Sequence, residues 1–339
     1  MANQSIHYAE MVNTARTMIA HPKGILAADE SSPTLTKRFE ALGLSSTEDS
    51  RRDWRETLFD TPGLAEFISG VICYDETFNQ TTSTDEPFCD FLNRRGMLCG
   101  IKVDTGAKPL AGCDGELVTE GLDNLGPRLE RYYRGGARFA KWRAVLRIAD
   151  AKPSAACIAS NATALARYAK LCQTFGLVPI VEPEILIEGQ HDLAVGKKVA
   201  TTVLVAVFDQ LRLFEVAMEA IVLKPSMVTP GAAGPPARPD AIAKASIDCY
   251  LDAVPASVAG IALLSGGQSD EDATANLAAI NAKGSLPWPI TFSFGRALQD
   301  APLRVWASSK QDRHLTQAAL MTRVQAAANA LKSQDLVSI

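Results

Sequence analysis

The 339-residue chain is poor in histidine, with 4, and in aromatic residues, at 6%. His7, His21, His191 and His314 are scattered, and none lies in an HExxH motif or four residues from another. An imidazole-based zinc site has no recognisable ligand set here, so no metal is expected. No basic run exceeds two residues, and the formal net charge is −4 from 34 Lys+Arg and 38 Asp+Glu. That leaves no electrostatic footprint for nucleic acid or for an anionic membrane surface. Nowhere do 18 apolar residues run together, so no membrane-spanning helix is expected. Residues 1–20 show neither a basic head nor a seven-residue apolar run, so no signal peptide is expected.

Cysteine spacing excludes more. The 7 cysteines are odd in number, lack CxxC spacing, and sit in apolar or helical stretches such as those around Cys73, Cys99 and Cys172. They read as reduced, buried thiols of a soluble cytosolic protein rather than a disulfide framework. Nucleotide signatures are missing too. There is no GxGxxG, and Gly196-Lys197 lacks the spacing and hydroxyl of a phosphate-binding loop. The peptide LSGGQ at 264–268 matches the signature of transporter ATPases, but without that loop it carries no nucleotide site. No cofactor is expected.

What is present is ordinary globular material: 47% hydrophobic, 21% charged, 23 Gly and 18 Pro. Disordered, collagenous and coiled-coil chains are excluded. A chain this long buries about 75% of its unfolded surface without disulfide staples. Its length suits roughly two ordinary domains or one large barrel. Eight apolar runs of strand length settle the choice, at 24–28, 71–74, 98–103, 139–145, 177–181, 220–223, 260–264 and 290–294. They are near-continuously apolar, as parallel strands buried on both faces are. Helical periodicity fills the gaps, clearest at 162–175, with Ser160 or Asn161 as cap and Gly176 as stop, and at 193–213. The Gly/Pro-rich stretch 231–239 follows a strand and precedes a helix, so it reads as a long loop inside the repeat. The fold class is therefore α/β, a (β/α)8 TIM barrel. One domain is expected over residues 1–339, with a short N-terminal helical extension and a C-terminal helix and tail from about residue 310.

Barrel chemistry sits at the carboxyl ends of the strands. Seven of the eight runs end in charge there: Asp29-Glu30, Asp75-Glu76, Lys102 with Asp104, Lys141 with Arg143, Glu182 with Glu184, Lys224, and Arg296. Each alone has a plain reading as the start of a solvated loop; their convergence on one rim is the signal. Lys224 ends a buried strand beside Pro225, which cannot donate in the ladder. Desolvation and a second ammonium such as Lys141 would make it a nucleophilic amine able to form a Schiff base, or it snorkels to solvent. Glu182 and Glu184 share one face about 6.6 Å apart on a continuing strand. Two such carboxylates are expected to push their pKa values apart, with Pro183 stiffening the turn between them. Lys141 and Arg143 also share parity and would select an anionic substrate. Ser265-Gly266-Gly267 and Gly295-Arg296 follow the last two strands, where barrels hold phosphate on glycine-rich backbone.

Taken in order, LAADES (26–31), GIKVD (100–104), AKWR (140–143), PIVEPEIL (179–186), LKP (223–225), MVTPG (227–231), LSGGQS (264–269) and FSFGRAL (292–298) resemble class I fructose-bisphosphate aldolase. The resemblance covers about residues 9–307. It implies a metal-independent glycolytic lyase that cleaves fructose 1,6-bisphosphate to dihydroxyacetone phosphate and glyceraldehyde 3-phosphate. Lys224 then matches the Schiff-base lysine, and Glu182, with Glu184 beside it, the proton shuttle of carbinolamine dehydration. Asp29 matches the base for the C4 hydroxyl, and Lys141 the lysine polarising that hydroxyl. Arg296, Ser265, Gly266 and Gly295 fall to the C1-phosphate end. Ser31, Lys102 and, more loosely, Arg38 and Arg51 fall to the C6-phosphate end, Arg143 lines the pocket, and Thr34, Gly267 and Ser293 are further candidates for substrate or phosphate binding. A cytoplasmic homotetramer follows from the same resemblance.

Three departures stand out. Ser32-Pro33-Thr34 replaces Thr-Gly-Ser of animal enzymes, stiffening that loop; Thr105 replaces a lysine; and the stretch 334–339 is expected to lack a long tail ending in tyrosine. A preference for sedoheptulose 1,7-bisphosphate, a broader aldolase, and a non-catalytic scaffold stay open as alternatives.

Overall fold

The structure is a computed structural model that describes residues 7–332. The expectations for the first six residues and for the tail at 334–339 lie outside them. Ten strands occur among the described residues: β1 (Gly24–Ala28), β2 (Ile68–Cys73), β3 (Leu98–Lys102), β4 (Gly106–Pro109), β5 (Leu117–Glu120), β6 (Phe139–Leu146), β7 (Val178–Ile185), β8 (Val222–Leu223), β9 (Gly260–Leu263) and β10 (Ile290–Phe294). All except β4 and β5 close into one barrel, in the order β1-β2-β3-β6-β7-β8-β9-β10 and back to β1. Every pairing around it is parallel. The (β/α)8 class read from the apolar runs is the observed one.

Two apolar layers hold it together. Inside the barrel, Ile25, Ile72, Phe139, Val178, Ile180, Val222 and Ala262 pack against Met11, Ala15 and Met18. Those last three come from the helix Tyr8–Met18. Space for the large rings is made by glycines: a Cβ on Gly100 would lie 2.1 Å from the Phe139 ring, and one on Gly24 2.3 Å from Phe292. Outside, Leu26, Val71, Trp142, Val181, Leu223 and Leu263 belong to a larger cluster reaching into the surrounding helices. With interior and exterior both dry, these strands read as unbroken apolar runs.

Three local expectations are corrected. First, β7 continues through the charged stretch: Glu182, Pro183 and Glu184 pair in register with Arg143, Ala144 and Val145 of β6. Pro183 is thus inside a strand, not a turn. Second, the helix read as 162–175 is Ala155–Thr174, capped by Ser154, whose hydroxyl accepts from the Cys157 N–H at 3.1 Å. Asn161 is buried within it and bonds the Thr119 N–H and the Leu117 carbonyl. The cause is the antiparallel β4–β5 pair, which the sequence reading missed and which covers the helix's early turns. Third, Ser32-Pro33-Thr34 opens the helix Ser32–Glu40 with Ser31 as its cap. Proline in a first turn gives up no hydrogen bond, so it begins a helix rather than stiffening a loop.

The helix Leu193–Leu213 has the expected bounds, capped by Asp192. The stretch 231–239 is indeed the loop entering the helix Pro239–Ala253. Near the C-terminal end runs the helix Arg313–Asn329. All seven cysteines are free thiols, six of them buried. Among the described residues no helix is long and apolar enough to cross a membrane.

Candidate active site

Parallel closure brings all eight strand ends to one rim, and a cavity of about 230 Å³ opens there. It gathers Asp29, Ser31 and Thr34 behind β1, Lys102 from β3, Lys141 and Arg143 from β6, and Glu182 and Glu184 from β7. Lys224 enters behind β8, Ser265 and Gly266 behind β9, and Ser293, Gly295 and Arg296 from β10 and the helix after it. A roomier cavity of about 720 Å³ lies between β5 and the helix Ala155–Thr174. Its ionisable residues, Glu120, Asp123 and Arg167, are all exposed. Volume is a poor guide here; the buried charges mark the rim cavity.

Four of those charges form a continuous chain. Lys141 Nζ lies 2.7 Å from Asp29 Oδ2 and 3.3 Å from Glu182 Oε2. The other Glu182 oxygen, Oε1, lies 3.2 Å from Lys224 Nζ. Lys141, Glu182 and Lys224 are each only 3–4% exposed. The strands make this geometry. β6 and β7 are in register, so their inward side chains alternate around the rim, and Lys224 follows the last paired residue of the two-residue β8.

Electrostatics fix the protonation of three members. Burial would raise the Asp29 pKa, but Lys141, Lys224 and Lys102 together outweigh it and hold the carboxyl well below its ordinary value. Glu182 behaves likewise: burial raises, while Lys141, Lys224 and Arg143 lower it further, and the net shift is downward. For Lys141 burial works against the charge, yet Asp29, Glu182 and Asp104 keep the ammonium well above its ordinary range. Two electrostatic expectations are thereby corrected. The like charge opposing Glu182 is Asp29, not Glu184, which pairs with the Arg143 guanidinium instead. Lys141 and Arg143, read as one cationic pair, are each matched by carboxylates: Lys141 by Asp29 and Glu182, Arg143 by Glu184.

At either end of this chain lie anion-binding features. Gly266 and Gly267 have φ of 53° and 81°, values that side-chain-bearing residues rarely adopt, and neither N–H donates a backbone hydrogen bond among the described residues, as in an anion-binding nest. Arg296 is the first residue of the helix Arg296–Ser308, and a Cβ on Gly267 would lie 3.8 Å from its Nη2. No carboxylate pairs with Arg296 among the described residues. Ser293 adds a buried hydroxyl without a partner. Across the cavity the Ser31 and Thr34 hydroxyls are 2.9 Å apart, and Lys102 Nζ lies 3.6 Å from Asp104.

Arg38 and Arg51 are not brought to the cavity wall. Arg38 donates to Glu30 at 2.5 Å and to Asp300 at 2.7 Å. Arg51 donates to both oxygens of Glu76 at 2.7 and 2.6 Å. Both are consumed by carboxylates, and Gly267 stands just behind the lining. The residue reading passed over Glu30 as a partner, although it adjoins Asp29, and over Arg55, 1% exposed and 3.0 Å from Glu30. The available signal for Arg55 was an arginine amid Trp54, Leu58 and Phe59, where an amphipathic helix turns its apolar side. Among the described residues no three His, Cys, Asp or Glu side chains are grouped to hold a metal ion.

The chain is similar to known proteins over most of its length. Residues 10–335 match the glycolytic family model described as fructose-bisphosphate aldolase class-I. A Xylella fastidiosa protein named "Probable fructose-bisphosphate aldolase class 1" is 49% identical over 299 residues, 88% of this chain and 90% of that protein. "Fructose-bisphosphate aldolase 5, cytosolic" of Arabidopsis thaliana is 48% identical over 93% of this chain and 88% of that protein. A solved structure of Plasmodium falciparum fructose-bisphosphate aldolase, in complex with TRAP and a small molecule inhibitor, superposes with a TM-score of 0.93. It is 42% identical and covers 95% of this chain and 94% of that one.

Proposed function

The chain belongs to the class I fructose-bisphosphate aldolase family, and we propose that it cleaves fructose 1,6-bisphosphate reversibly through an imine on Lys224. The observation that carries this reading is the buried Asp29–Lys141–Glu182–Lys224 chain. Lys224 gives a proton to Glu182, 3.2 Å away, and the free amine adds to the C2 carbonyl. Glu182 then returns that proton to the carbinolamine hydroxyl, which leaves as water, and a protonated imine remains. This iminium is the electron sink. Asp29, held ionised by three lysines, takes the C4 hydroxyl proton. The C3–C4 bond breaks, its electron pair passes into the iminium to give an enamine, and the aldehyde product departs. Protonation at C3 and hydrolysis release the second triose phosphate and restore Lys224.

Lys141 is a fixed positive charge in this scheme, stabilising Asp29 and the oxyanion developing at C4. Ser265, Ser293, Arg296 and the Gly266 and Gly295 backbone hold the C1 phosphate, beside a helix N-terminus. Ser31, Thr34 and Lys102 face the C6 phosphate, and Glu184 orients Arg143 at the pocket wall.

The chain acts as one domain in a homo-oligomer, by resemblance a tetramer. Leu213 and Leu251, 71% and 51% exposed on the helices Leu193–Leu213 and Pro239–Ala253, offer apolar surface for that association. The cytosolic names of plant relatives favour a cytoplasmic location.

Borohydride reduction with dihydroxyacetone phosphate tests the mechanism. The three-carbon unit is expected on the peptide containing Lys224, and Lys224→Met abolishes labelling. A label on Lys141 in the unmutated protein reverses the assignment.

A further inference from the structure

The barrel closes where β1 meets β10, and this seam is short: only Ile25 with Ser293 and Leu26 with Phe294 are paired. Beyond it the chains carry Asp29 on one side and Arg296 on the other. A side chain continues the seam. Gln299 Nε2 donates to the Ala27 carbonyl at 2.7 Å and to Glu30 Oε1 at 2.9 Å. A carboxamide nitrogen has two protons, and here one goes two residues before Asp29 and the other one residue after it. Gln299 is fully buried, at 0% exposure, and its Oε1 has no hydrogen-bond partner. Turning the amide over would set that oxygen against two acceptors, so the orientation is forced. An unpaired buried oxygen is unfavourable; what it secures is both flanks of one carboxylate.

The same helix face reaches further. Arg296, Gln299 and Asp300 stand at i, i+3 and i+4 of the helix Arg296–Ser308, and therefore point to one side. Arg296 enters the cavity. Asp300 accepts from Arg38 at 2.7 Å, and Arg38 returns to Glu30 at 2.5 Å. Arg55 Nη2 donates to the Glu30 backbone carbonyl at 3.2 Å and forms an ion pair with the other Glu30 carboxylate oxygen at 3.0 Å. Lys224, just after β8, and Glu182, on β7, share no hydrogen bond or ion pair with a member of this network among the described residues; their ion pairs are with each other and with Lys141.

We propose that Gln299 is a positioning residue for carbon–carbon cleavage, holding the Ala27 backbone on one side of Asp29 and the Glu30 carboxylate on the other, and tying both to the helix that begins with Arg296. This rests on Asp29 being the cleavage base. Gln299→Met removes both donors at similar size. It is expected to lower kcat for fructose 1,6-bisphosphate cleavage by about 100-fold, the effect of misplacing a reacting group by about 1 Å, with KM little changed. Borohydride trapping of dihydroxyacetone phosphate on Lys224 should proceed at the wild-type rate, because imine formation does not use Asp29. Full kcat in this variant overturns the proposal, and so does a loss of trapping parallel to the loss of cleavage, which would mark general damage. If Gln299→Met does not fold, Gln299→Glu decides. It can donate only when protonated, so its cleavage rate relative to wild type should rise as pH falls; a ratio independent of pH overturns the proposal. Asp29→Asn is run beside them. Should it retain cleavage, the base assignment falls and the proposal with it; should it abolish cleavage while Gln299→Met does not, only the positioning role falls.

Discussion

Removing the Lys141 charge is the most informative perturbation of the buried chain, since its effects on stability and catalysis can be separated. In Lys141→Met, Glu182 keeps Lys224 at 3.2 Å, but Asp29 loses its only ion-pair partner within 4 Å among the described residues. Stripping one partner from a buried pair costs about 3–5 kcal/mol. The lower end applies, because Lys224 and Lys102 still act on Asp29 at longer range. At about 2 °C per kcal/mol for a chain of this size, Tm at neutral pH should fall by roughly 6 °C. The pH dependence carries the mechanism. In the wild type the Asp29 pKa is depressed, so its stabilising contribution is complete above the unfolded value of about 3.9 and is lost as pH falls through the folded value. In the variant the raising effect of burial is no longer offset by Lys141. The carboxylate then destabilises the fold at neutral pH, and protonation relieves it as pH falls. The Tm gap between the proteins should therefore narrow toward about pH 4. Paired thermal melts by circular dichroism at both pH values measure this. Cleavage followed by triose phosphate release should drop by about 100- to 1,000-fold, while dihydroxyacetone phosphate still traps on Lys224. No Tm gap at neutral pH, or one of equal size at both, refutes the account of Asp29 as an anion held by Lys141.

Three other outcomes are expected. Arg296→Ala should raise KM for fructose 1,6-bisphosphate and flatten its dependence on salt, since the proposed phosphate contact of an unpaired guanidinium is removed; an unchanged KM takes Arg296 out of the site. Arg51→Ala should alter KM far less than Arg296→Ala while lowering Tm, because Arg51 spends its donors on Glu76; a KM change equal to that of Arg296→Ala would show that substrate displaces the carboxylate. Exhaustive EDTA treatment should leave cleavage intact, the proposed electrophile being an iminium on Lys224. Loss of activity that zinc restores would overturn the mechanism.

The barrel was legible because strands buried on both faces leave short apolar runs that stop in charge. β1 and β10 fall on the sequence bounds to the residue. That rule fails at β7 for a physical reason. Glu182 and Glu184 face cations across the rim, so charge there no longer marks the end of pairing, and the strand runs on to Ile185. The β4–β5 pair was hidden by the opposite circumstance, being short and half exposed, with Gly106 and Pro109 at the ends of one strand. Position at the strand ends, with parity for Lys141 and Glu182, was enough to place Lys141, Glu182 and Lys224 in one cavity, since both signals are local. Which charge answers which is not local. Arg51 meets a carboxylate 25 residues away and Arg38 one 262 residues away, so neither could be told from a phosphate ligand by spacing. Gln299 reaches Ala27 across 272 residues, a contact that exists only because β10 returns to β1. The groups that do chemistry hang from strand ends and can be read from the chain; the groups that hold them come from the closure, and only the closed barrel reveals them.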